Sequence, residues 1–186
     1  MDKGGVNYIF VLPEMPWSIY TNTIRGRQHH AFCPRSNGDR CEGSEEENFR
    51  VFWGELKNAF KNRFHVPFQP AVTTFIGHSA GGATLKSVAQ SGMFDEIKPD
   101  KIVFSDATYG RWLDDYYKYF RNKGKTKTIL FNLLDYTEKY PYKRTRRFYS
   151  DRGGQPSDIQ EVIFSRRDGW RHIKIGQNAL EMSRQY

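Results

Sequence analysis

Along the chain, short continuous apolar runs alternate with longer amphipathic stretches. The runs cover residues 8–12 (YIFVL), 72–76 (VTTFI), 102–105 (IVFS), 128–134 (TILFNLL) and 162–165 (VIFS). Their β-branched and aromatic content predicts strands, and the lack of polar alternation predicts strands covered on both faces, as in parallel sheets. Between them, residues 45–64 carry Phe49, Phe52, Trp53, Leu56, Ala59 and Phe60 at three- and four-residue steps, one apolar stripe on a helix. Ser44 stands where an N-cap would, with acidic residues in the following turn. Further helices are predicted over 82–90, 111–122, ended by Lys123 and Gly124, and 177–184. Strand–helix alternation of this kind predicts an α/β domain with a mainly parallel sheet of five to six strands between helical layers. Residues 13–43 and 136–158 read as long irregular loops. Both follow strand C-termini, the edge where open α/β sheets bind ligands.

Composition narrows the class. The 186 residues suit a single domain with a core of its own. Aromatics at 16% exclude a disordered chain, and no apolar run approaches the roughly 18 residues of a membrane span. The first thirty residues lack the basic end, apolar stretch and cleavage site of a signal peptide. The net charge of +8 favours anionic partners, yet the sequence has no zinc-finger spacing and no aromatic RNA-binding signature, so a specific nucleic-acid role is not expected. Cations crowd residues 118–152, interleaved with Tyr140, Tyr142, Phe148 and Tyr149. They read either as a solvated face or as a surface for an acidic polymer. Cys33 and Cys41 flank a turn-forming segment with Pro34, Asn37, Gly38 and Asp39. A bridge between them would imply an oxidising, extracytoplasmic compartment; free thiols are the alternative. Zinc held with His29 and His30 matches no common ligand spacing, and no metal or organic cofactor is expected.

The string FIGHSAGGATL carries the chemistry. Gly77-His78-Ser79-Ala80-Gly81 is a G-x-S-x-G pentapeptide that follows an apolar strand and opens a helix. A serine on so tight a turn needs small neighbours two residues to either side, and its hydroxyl stands exposed above the sheet. The next backbone N–H, that of Ala80, then faces a developing oxyanion at a helix N-terminus.

With this string the sequence resembles the α/β-hydrolase superfamily, over most of its length from Tyr8 to about Leu180. The resemblance implies a serine hydrolase acting on an ester or amide through an acyl-enzyme, with Ser79 as nucleophile. The superfamily's chain order is Ser, acid, His. His172 is the one histidine after Ser79 and lies between the last strand and the last helix, where the superfamily places its base. For the acid, Asp106 ends the third strand and is followed by the small Ala107 and Thr108. Asp135, after the fourth strand and before bulky Tyr136, occupies the commoner position, and Asp168 shares the loop of His172. Asp106 is the favoured expectation. Ala80 would supply one oxyanion donor. The second is expected from Glu14 or Met15, with Met15 preferred, because the usual His-Gly is absent and Pro13 and Pro16 have no N–H. Trp17, His78 and Tyr109 are expected at the substrate site. The sheet is short for the superfamily, which implies a minimal or N-terminally shortened member. The competing expectation is a non-catalytic hydrolase-like protein that engages an anionic ligand through residues 118–152.

Overall fold

The structure is a computed structural model that describes residues 36–37, 40–41, 45–120, 123–137 and 139–186. It is an α/β fold with helices on both faces of a four-stranded parallel sheet. The elements run β1 (Ser36–Asn37), β2 (Arg40–Cys41), α1 (Glu45–Phe64), β3 (Thr74–His78), α2 (Gly81–Gln90), α3 (Met93–Ile97), β4 (Lys101–Ser105), α4 (Trp112–Tyr119), β5 (Lys127–Leu133), α5 (Pro141–Ser150), β6 (Ile159–Phe164) and α6 (His172–Gln185). The large sheet has the sequential order β3-β4-β5-β6, and β1 and β2 form a small antiparallel pair. The predicted strand at residues 8–12 lies outside the described residues. Among the described residues the parallel sheet has four strands.

Each strand's alternation divides the core. Phe75, Ile102, Phe104, Leu130 and Ile159 face α1, α2, α4 and α5, where Phe49, Leu85, Val88, Tyr116 and Phe148 close the layer. Ile76, Val103, Ile129, Phe131, Leu133, Val162 and Phe164 face the opposite way and pack on Ile175, Ala179 and Met182 of α6. Sequential parallel strands joined by right-handed crossovers place the crossover helices on one face. The last helix, free of a following strand, covers the other.

Residues 136–158 are not one long loop. They contain α5, whose buried positions Pro141, Thr145, Phe148 and Tyr149 follow a 4-3-1 spacing along one helical face. Proline opens the helix at its first turn, where a missing N–H costs nothing. α6 also starts earlier than the apolar pattern suggests, at His172 rather than residue 177.

Candidate active site

The C-terminal ends of β3 and β4 bring Ser79 and Asp106 side by side. Both adopt left-handed backbone angles, φ +53° and +47°, an unfavourable choice for residues with a Cβ. Packing enforces the turn at Ser79. A Cβ on Gly77 would meet the carbonyl oxygen of Gly81 at 2.6 Å and Leu85 Cδ1 at 2.8 Å. A Cβ on Gly82 would meet the carbonyl oxygen of Ala107 at 2.0 Å. Gly81 itself has open space at that position, so on the helix side the steric demand falls on Gly82 and not on the second glycine of the pentapeptide. Ser79 N–H donates to Ser105 O (3.2 Å), and Gly82 N–H donates to Ser79 O (3.1 Å), which ties the turn to β4 and to the first turn of α2. Ala80 is the N-cap residue of α2.

Asp106 is fully buried, with every carboxylate oxygen engaged. Leu133 N–H donates to Oδ1 (3.1 Å), and His172 Nδ1 lies 2.7 Å from Oδ2. Its own N–H donates to Phe131 O at 2.6 Å. Because a carboxylate only accepts, His172 carries its proton on Nδ1, and Nε2 is left as the basic nitrogen. His172 is the first residue of α6 and its side chain is one-third exposed (33%), so solvent or a substrate reaches the ring while its partner is sealed away.

The other two aspartates are occupied elsewhere. Asp135 accepts from Thr137 N–H (3.0 Å) and pairs with Arg166 at 3.2 Å. Asp168 is exposed on the turn before α6. Of the three carboxylates weighed as partners of His172, Asp106 is the one that meets it.

His78 sits beneath the imidazole of His172, ring centroids 4.4 Å apart and 33° between planes. Its Nδ1–H donates to Ser105 O at 2.9 Å. Burial, joined by the neighbouring charge of a protonated His172, lowers the His78 pKa from the ordinary imidazole value, against the pull of that carbonyl. His78 was expected at the substrate site; its contacts are with the candidate base and with α6. A Cβ on Gly176 would stand 2.6 Å from His78 Cδ2 and Cγ, so the glycine in α6 makes room for this ring.

Tyr109 closes the group. Burial and the nearby Asp106 charge push its hydroxyl pKa up to about 12. Its ring meets His172 edge-on at 6.4 Å and Trp112 edge-on at 5.8 Å. Behind it, Thr108 Oγ1 donates to Pro141 O (3.0 Å) and lies 2.9 Å from Thr145 Oγ1, which anchors the β4–α4 turn on α5. Tyr109 was expected at the substrate site, and its ring stands beside the candidate base.

Glu14, Met15, Trp17, His29, His30 and Cys33 lie outside the described residues, and with them the second oxyanion donor, the zinc alternative and the Cys33–Cys41 bridge. Among the described residues no cluster of histidine, cysteine and carboxylate side chains suits a metal ion, and no helix is long and apolar enough to cross a membrane. The chain matches no family model, no curated protein and no solved structure. The functional reading therefore stands on the geometry of Ser79, His78, Asp106, Tyr109 and His172.

Proposed function

We propose that the protein is a serine hydrolase of the α/β-hydrolase type that cleaves an ester or amide bond. The observation that carries this reading is the 2.7 Å contact between His172 Nδ1 and buried Asp106, formed beside a serine held at φ +53°. Ser79 Oγ attacks the substrate carbonyl carbon while its proton passes to His172 Nε2. The carbonyl π electrons move onto oxygen, where Ala80 N–H at the start of α2 stabilises them. Collapse of this intermediate expels the leaving group, which takes the proton from Nε2, and leaves an acyl-serine. Water repeats the sequence and releases the acid. Asp106 holds the Nδ1–H tautomer and stabilises the imidazolium without itself taking the proton. The cost of two left-handed residues is offset by the surrounding packing, as is common where geometry serves chemistry.

The reading of the chain as a binding protein acting through residues 118–152 has less support. Lys127 donates to the terminal residue Tyr186, Arg146 pairs with Glu161, and Arg152 pairs with Asp114 and covers the Phe148 ring at 3.9 Å. These cations serve the fold.

Steady-state hydrolysis of p-nitrophenyl butyrate tests the proposal. The wild-type chain should turn the ester over, and His172→Ala should lower kcat by on the order of ten-thousand-fold. Equal rates for the two proteins would reject the mechanism.

A further inference from the structure

We propose that Thr108 and Thr145 are a positioning pair: their buried hydroxyls tie the β4–α4 turn to α5 and so keep the strained backbone of Asp106 aimed at His172. The inference rests on the serine-hydrolase reading and deepens it.

The pair belongs to a polar network placed where apolar residues would pack more cheaply. Farther from the active-site edge, the layer between sheet and helices is filled by Ile102, Phe104 and Leu130. Nearer that edge it holds Asn132, Thr145 and Thr108, all buried. Burying polar groups costs stability unless they find partners, and each of these residues has one. Asn132 Nδ2 donates to Thr145 Oγ1 (3.1 Å) and to Glu161 Oε1 (2.8 Å), and Glu161 pairs with Arg146. Thr145 Oγ1 lies 2.9 Å from Thr108 Oγ1, and Thr108 Oγ1 donates to Pro141 O at 3.0 Å. The hydrogens have a single arrangement. A carbonyl only accepts, so the one Thr108 hydroxyl hydrogen goes to Pro141 O. Thr145 must therefore donate to Thr108, and its oxygen accepts from Asn132. Both partners of Thr108 lie on α5, at its first residue and one turn later.

The turn needs this hold because Asp106 sits at φ +47°. A left-handed residue with a Cβ carries strain comparable to one or two buried hydrogen bonds, and it relaxes unless its surroundings fix it from both sides. On the β5 side, Asp106 N–H donates to Phe131 O (2.6 Å) and Leu133 N–H donates to Oδ1 (3.1 Å). On the other side, Ala107 is buried with its carbonyl oxygen against Gly82, and Thr108 ties the turn to α5. Loosening Thr108 lets the backbone after Asp106 rotate. That rotation draws the carboxylate from His172 Nδ1, which it meets at 2.7 Å. Neither threonine reaches the imidazole itself; they act through Asp106.

The test compares wild type with Thr145→Val, Thr108→Val, the double variant and Thr145→Ser. Valine keeps the branched shape and removes the hydroxyl; serine keeps the hydroxyl. The first readout needs no turnover. It is the low-field proton resonance of His172 Nδ1–H, assigned by its loss in His172→Ala. It should move upfield or broaden away in the valine variants and stay in place in Thr145→Ser. The second is hydrolysis of p-nitrophenyl butyrate well below each variant's melting temperature. In Thr145→Val, kcat should fall on the order of ten- to a hundredfold, with KM within about threefold of wild type. Thr108→Val should lose at least as much. Adding Thr145→Val to Thr108→Val should change kcat by less than about twofold, because both remove one link. Thr145→Ser should stay within about threefold of wild type. Thermal unfolding separates stability from positioning. The double variant leaves no half-made bond between the two positions, so it should melt no lower than Thr145→Val while kcat stays low, and it carries the test where a single variant is too unstable. A folded double variant with the wild-type resonance and kcat would overturn the proposal. So would multiplicative losses from the two valines, or a Thr145→Ser variant as impaired as Thr145→Val. If wild type shows the resonance and hydrolyses no ester, the serine-hydrolase reading fails, and the resonance alone decides whether the pair holds Asp106 on His172.

Discussion

Gly176→Ala has an expected outcome opposite to what helix propensity implies. Glycine in a helix interior is less favourable than alanine by about 1 kcal/mol, so the substitution would ordinarily stabilise α6. Here the new Cβ would stand 2.6, 2.6 and 2.7 Å from three atoms of the His78 ring. Ordinary contact requires the ring to recede by about 1 Å. It has two ways to move. Receding from α6 strains or breaks its 2.9 Å bond to Ser105 O, at a cost of about 1 kcal/mol, and tilting upward drives it into His172, whose ring centroid is 4.4 Å away. Overpacking of this kind costs about 1–3 kcal/mol and straining the bond adds about 1, so after the propensity gain of about 1 kcal/mol the net change is a destabilisation of about 1–3 kcal/mol. For a domain of this size the melting temperature should fall by about 2–12 °C. The catalytic effect should be larger than the thermal one. The proposed mechanism requires His172 Nε2 to meet the serine hydroxyl, and misplacement of about 1 Å costs about 100-fold in rate. Differential scanning calorimetry and ester hydrolysis on the same preparation read both quantities. A variant that melts higher than wild type and keeps full activity would show that His78 and α6 do not couple, and the account of Gly176 would be wrong.

Asp106→Asn should lower kcat by about ten-thousand-fold through the wrong imidazole tautomer, whereas Asp135→Asn, which only loses the Arg166 and Thr137 contacts, should stay within about threefold in the same assay; a reversed order would move the acid to β5. For His78 the folded-state pKa lies below the unfolded one, so between the two values the unfolded chain binds more protons. Its contribution to stability is complete above the ordinary imidazole range and is lost as pH falls through it. Melting temperatures taken from about pH 7.5 down to about pH 5 should therefore drop faster for wild type than for His78→Gln, and parallel curves would contradict this.

Much of the fold was legible because its strands are covered on both faces. The buried runs at 102–105 and 128–134 are so apolar that β4 (Lys101–Ser105) and β5 (Lys127–Leu133) fall within a residue of their predicted bounds. α1 spans the predicted 45–64 because its aromatic stripe is dense. α5 was hidden by composition. Its inner face uses Thr145, hydrogen-bonded to Thr108 and Asn132, where an apolar residue would have betrayed the period. The start of α6 was hidden by Gly176, which reads as a helix breaker until the His78 ring is seen to occupy the missing side chain's place. At the site, the serine turn and the lone downstream histidine were visible as a local pattern and a count. Asp106 was favoured over Asp135 and Asp168 on the small residues that follow it, but the contact itself depends on which strand end faces α6. The place of Tyr109 beside His172 likewise depends on a turn between β4 and α4 that no local pattern specifies.

The central claim is that Ser79 is an activated nucleophile. Its most direct measurement is covalent labelling by a fluorophosphonate, which requires an activated serine, followed by intact-mass analysis and peptide mapping of wild type, Ser79→Ala and His172→Ala. The account predicts one adduct per wild-type chain, located on Ser79, no adduct on Ser79→Ala, and labelling of His172→Ala slowed by orders of magnitude. An unmodified wild-type chain, or equal labelling of wild type and Ser79→Ala, would contradict it.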